Sequence, residues 1–300
     1  MDLRQLRYFV AVAERGGFGA AASAVHVAQS ALSRHVAQLE HELGGALLER
    51  GARGATPTES GKILLARGRW LLGELDNIFA EVQTENRDPS GTVRLGAPST
   101  LAGLVYAPLA RLFAERFPRV QLQLSEGLTD EMSDRLLRGE LDLAIVSPPG
   151  PNDHLVFEPL VSEQTFLIGP AGDRLLRRPA LTRADLERLP KVILPLTGRR
   201  IFPPGIGSAL RVESMTPIKQ MVADGLGYGA LPWSGIHEEV AAGTLAAALL
   251  PWIRTDRMLA LPKRRPLSRA TREAIAALRE VCARLIAQGK IRTARPRRPA

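Results

Sequence analysis

The sequence predicts an α/β protein in two parts: an all-α winged helix-turn-helix with a long linker helix, followed by a two-lobed α/β domain. Three observations predict it. Residues 18–43 read as two short helices around a tight turn, with Leu32, Val36, Leu39 and Leu43 on one apolar stripe of the second. The stretch Asn86-Arg87-Asp88-Pro89-Ser90-Gly91 is polar and carries Pro and Gly, so it marks a hinge. Beyond it, strands alternate with helices at the spacing of a parallel sheet covered by helices.

Leu3, Leu6, Phe9, Val10 and Val12-Ala13 form an amphipathic helix suited to pack behind the hairpin. The first hairpin helix covers about Gly19 to Val25, the turn His26-Val27-Ala28, and the second helix opens near Gln29. Its polar face starts with Gln29, Ser30, Ser33 and Arg34, and Gln38 follows one turn on. Hydrogen-bonding side chains at a helix N-terminus, above an apolar back, suit a recognition helix in a DNA major groove. The alternative for this stretch alone is a helical hairpin buried in a core. The helix before it and the glycine-punctuated turn Leu47 to Thr58, with Arg50 and Arg53 near its tip, favour the winged reading. Thr58 is expected to cap a helix to about Glu85. In it Leu65, Gly68, Leu72, Leu75, Phe79 and Val82 step by three or four, and Leu64, Leu71 and Ile78 widen the stripe. At ~1.5 Å per residue such a helix spans about 40 Å. That exceeds what one winged domain needs, so a dimerisation helix is expected, with packing on its own chain as the alternative.

In the second part, Thr92 to Ala97, Val120 to Ser125 and Leu141 to Ser147 read as strands, with helices at Leu101 to Phe117 and Thr129 to Arg138 between them. Leu155 to Val161 and Thr165 to Ile168 are strand-like, and Leu181 to Leu186 is a capped helical turn. Strands at Lys191 to Leu194 and Arg211 to Glu213 precede a helix at Ile218 to Ala223 and a strand entered through Gly227. Met258 to Leu261 is a late strand, and Ser268 caps a last helix to about Ala287. Gly225, Gly227 and Gly229 follow a helix and enter a strand, the reverse of a dinucleotide fingerprint, which argues against a nucleotide site. Ligands of open α/β sheets bind beyond the C-terminal strand ends, where helix N-termini offer free N–H groups. Ser99, Thr100 and Thr129 lie at two such ends and form a candidate site suited to a carboxylate; three ordinary helix caps are the alternative.

The formal charge is +9, yet basic and acidic residues nearly cancel over residues 1–88, and the excess lies beyond Lys263. Net charge is therefore weak evidence for nucleic acid here, and the placement of Arg34, Arg50 and Arg53 is the better evidence. Residues 293–300, TARPRRPA, have no apolar anchor and read as a disordered basic tail. One cysteine, Cys282, excludes an internal disulfide, and its apolar neighbours at helical spacing make it a core thiol. No apolar run reaches the ~20 residues of a membrane span, and Met1-Asp2-Leu3-Arg4 begins no export signal, so a cytoplasmic protein is expected. The five histidines form no metal-binding spacing, and neither a nucleophile elbow nor a lysine-bearing phosphate loop is present. No enzyme, metal or cofactor is expected. The remaining rival is a sensing module whose N-terminal helices only oligomerise.

Nearly the whole chain resembles the LysR-type transcriptional regulators. The resemblance is carried by Leu3-Arg4-Gln5-Leu6-Arg7-Tyr8-Phe9-Val10-Ala11-Val12-Ala13-Glu14, Gly17-Phe18, Ala20-Ala21-Ala22 and Val27 to Ser33. It continues in Leu39-Glu40, Leu43-Gly44, Leu47-Leu48-Glu49-Arg50 and Thr56 to Gly61. Looser matches follow at Gly96, Ser99, Gly139 to Ile145 and Val222 to Gly227. Glu126 to Thr129, with Ile218 to Trp233, is similar to the nitrogen-assimilation-control branch. The resemblance implies a winged helix-turn-helix over residues 1–58, a dimerising helix over 59–88 and a periplasmic-binding-protein-like effector domain over 89–292. Its lobes would cover about 91–161 with 266–292, and 162–265. It further implies a homodimer, commonly a homotetramer, on double-stranded promoter DNA. The family's DNA-contacting positions fall on Gln29, Ser30, Ser33, Arg34 and Arg53, and its inducer positions on Ser99, Thr100, Thr129 and Phe202. The expected function is a transcription factor responding to a small metabolite, most simply an organic anion. A regulator needing no inducer is the alternative within the family.

Overall fold

The computed structural model describes residues 1–51, 54–83, 88–148, 150, 152–187, 189–193, 209–212, 214–263 and 265–294. Arg53 and Phe202 lie outside the described residues.

Helix α1, Leu3–Arg15, starts at a capping box: Asp2 accepts from the Gln5 amide and the Gln5 side chain accepts from the Asp2 amide. It stops at Gly16 in the left-handed region, φ 68°. Helices α2, Phe18–Ala24, and α3, Gln29–Glu42, are joined through His26, which takes φ 54° in the tight turn. Leu6, Phe9, Val10, Ala21, Leu32, Val36 and Leu39 fill the core between the three helices, so the α3 stripe faces inward as expected. Leu43, placed on that stripe by spacing, is instead exposed, because the helix ends at Glu42.

The wing is an antiparallel pair, β1, Leu48–Gly51, with β2, Gly54–Pro57. Three bonds hold it to the helices. The Glu40 carboxylate accepts from the Leu47 and Leu48 amides at 2.9 and 3.1 Å. The Ala55 amide donates to the Gly16 carbonyl at 2.8 Å. Thr58 then caps α4, Glu59–Gln83, accepting from the Gly61 amide at 3.0 Å.

The apolar stripe of α4 is divided. Its first half packs on its own chain: Leu64, Leu65, Leu71 and Leu72 join the winged-domain core. At Gly68 the helix crosses α1 so closely that a Cβ would lie 2.8 Å from Leu6 Cδ1. The second half leaves Ile78 46% and Phe79 56% exposed. The seam expected to face a partner throughout therefore does so at most in its second half.

The C-terminal region is built on a six-stranded sheet of order β4-β3-β5-β10-β6-β9. Strand β3, Gly91–Ala97, pairs in parallel with β4, Val120–Glu126, and with β5, Leu143–Val146. Helices α5, Ser99–Arg116, and α6, Thr129–Leu137, make the crossovers. An all-parallel sheet does not continue. The two segments at Leu155 to Val161 and Thr165 to Ile168 are one strand, β6, Leu155–Pro170. The late strand at Met258 to Leu261 is the end of an 18-residue strand, β10, Leu245–Pro262. These two are antiparallel over almost their whole length, with register shifts at Leu249/Arg254 and Arg257/Met258. Met258 to Ala260 also pairs with β5, so this stretch lies beside the parallel strands of the first lobe rather than in the second lobe.

The second lobe adds α7, Arg183–Glu187, and a parallel pair, β7, Lys191–Ile193, with β8, Ala209–Arg211. Helix α8, Met215–Ala223, leads to β9, Gly229–Pro232, which pairs with β6. Two elements went unread in the sequence: the 3-10 turn Trp233–Gly235 and α9, His237–Ala241. Helix α10, Arg269–Ala287, capped by Ser268, returns to the first lobe and buries Ala274, Leu278, Val281 and Leu285. Cys282 lies with them, and burial pushes its thiol up to about 12. Thr293 and Ala294, expected in the disordered tail, are instead held: Thr293 bridges to Glu163 and the Ala294 amide donates to the Ser162 carbonyl at 2.8 Å; the rest of the expected tail lies outside the described residues.

Two glycine substitutions in helices should have opposite signs. A Cβ at Gly61 would collide with the Leu47 carbonyl oxygen, whereas Gly103 in α5 has open space around it. Gly61→Ala is expected to destabilise the chain by about 1–3 kcal/mol. Gly103→Ala is expected to stabilise it by about 0.5–1 kcal/mol. Urea unfolding of both variants checks the pair, and a stabilising Gly61→Ala would contradict the packing of α4 against the wing.

Candidate functional site

Two surfaces collect the residues singled out by the sequence. The first is the outer face of α3. Gln29, Ser30, Arg34 and Gln38 are exposed, while Ser33 is half-buried beside the inward stripe. The helix start has no side-chain cap: Ala28 stands at the N-cap, and its carbonyl accepts from the Ala31 and Leu32 amides. The first-turn amides of Gln29 and Ser30 therefore have no carbonyl one turn back, which leaves donors suited to an anion such as a phosphate.

Arg50, expected near the wing tip, is held by two contacts. Its guanidinium lies 3.4 Å from Glu40 and stacks over Phe18 at 4.7 Å. Half of it remains exposed, so it can still offer donors outward. His35, also on α3, packs edge-on against Tyr8 at 5.3 Å, which fixes the helix on α1.

The second surface is the floor between the lobes. Ser99 and Thr100 lie in the first turn of α5, whose N-cap is Pro98, and Thr129 opens α6, whose N-cap is Leu128. Neither helix has a side-chain cap, so none of the three hydroxyls serves as the ordinary cap that was the alternative reading. Ser99 is exposed, Thr129 half-buried and Thr100 buried. The two helix starts are tied together, since the Gly127 amide donates to the Ala97 carbonyl at 3.2 Å. The Ser147 amide, at the end of β5, donates to Thr129 Oγ1 at 3.1 Å. Three strand ends thus converge on one place, and Phe202 cannot be placed relative to it.

The structure adds residues that the sequence reading missed. Arg257 on β10 is only 3% exposed and joins the strand ends: Nη1 donates to Ser147 Oγ at 3.0 Å and Nη2 to Thr100 Oγ1 at 2.5 Å. Its Nε lies 3.7 Å from Oε1 of Glu163 on β6, which is fully buried. Burial raises the Glu163 carboxyl above its ordinary range, while Arg257 and the nearby Ser234 hydroxyl and amide pull it back down. Burial likewise lowers the Arg257 guanidinium, and Glu163 opposes that shift. Arginine nevertheless stays protonated, so the floor holds a fixed positive charge. Both residues escaped notice because they interrupt apolar stretches. Ser162-Glu163-Gln164 read as a gap between two strands, and the late strand was begun one residue after Arg257.

A third set of contacts links these surfaces. Arg69 on α4 donates to Glu14 at the end of α1 and to Glu140 just beyond α6, both at 2.7 Å. Arg265 stacks on Trp70 of α4 at 5.4 Å and donates to the Leu136 and Leu137 carbonyls at the α6 C-terminus. Helix α6 therefore carries Thr129 at one end and the linker-helix contacts at the other.

Comparison with known proteins agrees with this layout. Residues 3–62 match the bacterial regulatory helix-turn-helix protein, lysR family, and residues 86–283 match the LysR substrate binding domain. The chain is 34% identical over 263 residues to the nitrogen assimilation regulatory protein nac of Klebsiella aerogenes, covering 84% of this chain and 83% of that one. It is 31% identical over 262 residues to the HTH-type transcriptional regulator BbuR of Bordetella bronchiseptica, covering 84% and 80%. Among solved structures, full-length OxyR from Pseudomonas aeruginosa is similar at 25% identity and TM-score 0.76, over 100% of this chain and 99% of that one. ArgP from Mycobacterium tuberculosis shares the fold at 18% identity and TM-score 0.73, over 98% and 100%. With the helix-turn-helix match over the α3 surface and the substrate-domain match over the cleft, the chain belongs to the LysR family and is a DNA-binding transcriptional regulator with a C-terminal effector domain.

Proposed function

We propose that residues 1–58 read promoter DNA, residues 59–88 pair two chains, and residues 89–292 sense a small organic anion in the cytoplasm. The observation that carries the DNA reading is the open face of α3, where Gln29, Ser30 and Arg34 are exposed above a fully buried stripe. Gln29 would contact adenine edges in the major groove, and Arg34 guanine or phosphate, with Ser30 and Ser33 assisting. Arg50 and Arg53 would follow the DNA backbone beside the wing. The exposed Ile78 and Phe79 support pairing through the second half of α4, and a dimer of such dimers would give the tetramer.

The sensing reading places Ser99, Thr100, Thr129 and Phe202 around the effector. It is supported by the uncapped starts of α5 and α6 and the positive charge of Arg257 behind them. The effector acts by binding one lobe arrangement better than another, and it can shift DNA binding only by that difference. Similarity to the nitrogen assimilation regulatory proteins of Klebsiella aerogenes and Escherichia coli, at 34% and 30% identity, supports placing the chain in that branch.

Arg34→Ala is expected to weaken binding to the DNA flanking the protein's own gene by about 1–3 kcal/mol at equal salt. A footprint at undiminished affinity would remove α3 from the interface. Phe79→Asp is expected to shift the chain towards monomer in sedimentation while leaving its thermal unfolding intact. An unchanged sedimentation profile would place the pairing surface elsewhere.

A further inference from the structure

Residues 289–294, which follow α10, tie the two lobes together by a route that neither crossing strand supplies. Strand β9 leaves the edge of β6 at Pro232, paired with Thr165, and the chain turns away through Trp233–Gly235. The edge beyond Thr165 is then filled from elsewhere. The Gln164 amide donates to the Arg292 carbonyl and the Ala294 amide to the Ser162 carbonyl, both at 2.8 Å. An antiparallel bridge joins Glu163 to Thr293 between them. This strap thus takes over the place of β9 along Ser162 to Gln164, where β6 passes between the lobes.

Neighbouring residues of the strap are anchored in different lobes. Ile291 is buried in the first-lobe core with Leu278, Val281 and Leu285, and its amide donates to the Leu285 carbonyl at 3.2 Å. Arg292 instead lays its guanidinium over Trp233, 3.4 Å from the ring centroid, and Trp233 packs on Phe166 in the second-lobe core. The Trp233 indole N–H completes the link by donating to the Gly289 carbonyl at 2.8 Å. A displacement of Trp233 away from α10 breaks that bond and strips the ring from Arg292, which Ile291 keeps on the first lobe.

The two anchors differ in strength. Ile291 would expose buried apolar surface on leaving, whereas the Arg292 side chain is exposed and the bonds at Gln164 and Ala294 can be exchanged for bonds to water. Release of the strap therefore starts at Arg292, with Ile291 as its fixed end.

We propose that residues 289–294 form a latch that holds the lobes in the arrangement described above, and that the lobes rearrange only after Arg292 to Ala294 leave β6. The latch sets how strongly the resting chain favours this arrangement. It thereby sets how large a differential affinity any cleft ligand needs to shift the lobes. It goes beyond the sensing reading, because it acts on the lobes whatever the cleft binds.

Nitroxides on Glu115→Cys of α5 and Arg183→Cys of α7, both exposed positions, allow electron–electron double resonance to read the lobe separation in the full chain. Dilution with unlabelled chain removes distances between chains, and the buried Cys282 leaves labelling to the two introduced thiols. Hydrogen exchange at the Gln164 amide reads whether the strap is seated. Arg292→Ala removes the stack on Trp233, and Ala294→Pro removes the N–H that bonds to Ser162. The chain with both residues intact should give one distance and a protected Gln164 amide. Each variant should speed exchange at Gln164 and add a second distance population, with circular dichroism unchanged. If Ala294→Pro does not fold, Arg292→Ala, at an exposed side chain, decides alone.

Faster exchange at Gln164 with a single, unchanged distance overturns the proposal, since the strap would then pack without holding the lobes. A Gln164 amide that stays protected in the folded variants overturns it too, because neither contact would be what seats the strap. Both results leave the cleft reading as it stands.

Discussion

The antiparallel pair β6–β10 runs through both lobes, and every other part of the C-terminal domain is placed by it. One end of β10 pairs with β5, while β6 pairs with β9, so the two strands join the halves of the six-stranded sheet. Between them the rungs carry their own side-chain bonds, Ser162 to Asp256 at 2.6 Å and Thr165 to Thr255 at 3.0 Å. The register shifts between Leu249 and Arg254, the point where an extended pair can bend without breaking its ladder. The chain after α10 lies along the same crossing: the Gln164 amide donates to the Arg292 carbonyl, and the Arg292 guanidinium stacks on Trp233 at 3.4 Å. The same crossing carries Glu163 on β6 and Arg257 on β10.

That placement gives a physical route from cleft to DNA reader. A ligand that moves the start of α6 moves a helix whose far end meets α4 through Glu140, Arg265 and Trp70. Arg69 holds Glu140 and Glu14 together, so the same guanidinium touches the effector domain and the end of α1. Gly139 approaches Trp70 so closely that a Cβ would lie 2.8 Å from the Trp70 Cβ, leaving little slack between the two parts. Exposed ion pairs contribute little stability singly. The packing of Trp70 and the half-buried Glu140 is what makes the contact stiff.

The N-terminal domain was legible almost residue by residue, because helix caps and apolar periodicity are local. Thr58, the His26 turn and the stripe Leu32, Val36 and Leu39 fell where spacing placed them. The division of the α4 stripe was not legible, since Leu72 and Phe79 look alike in sequence and differ only in whether α1 covers them. In the C-terminal domain β10 was hidden by its alanine-rich start, Leu245-Ala246-Ala247-Ala248-Leu249, and by Pro251, which together lack the alternation of a strand. Of the cleft, the helix starts were visible in Ser99, Thr100 and Thr129. The buried charges were not, because Arg257 and Glu163 are polar residues in strands and their meeting depends on a pairing 94 residues apart for the neighbouring Ser162 and Asp256.

Reciprocity between the two surfaces tests the central claim most directly. If the cleft and the α3 face belong to one coupled regulator, a compound that stabilises the full chain must bind with different affinity when operator DNA is present. That factor must equal the one by which the compound changes operator affinity. Calorimetric titration of the compound into the free protein and into the protein–operator complex, at equal salt, measures it. Unequal affinities with matching factors are the expected result; identical affinities in both titrations would contradict the coupling.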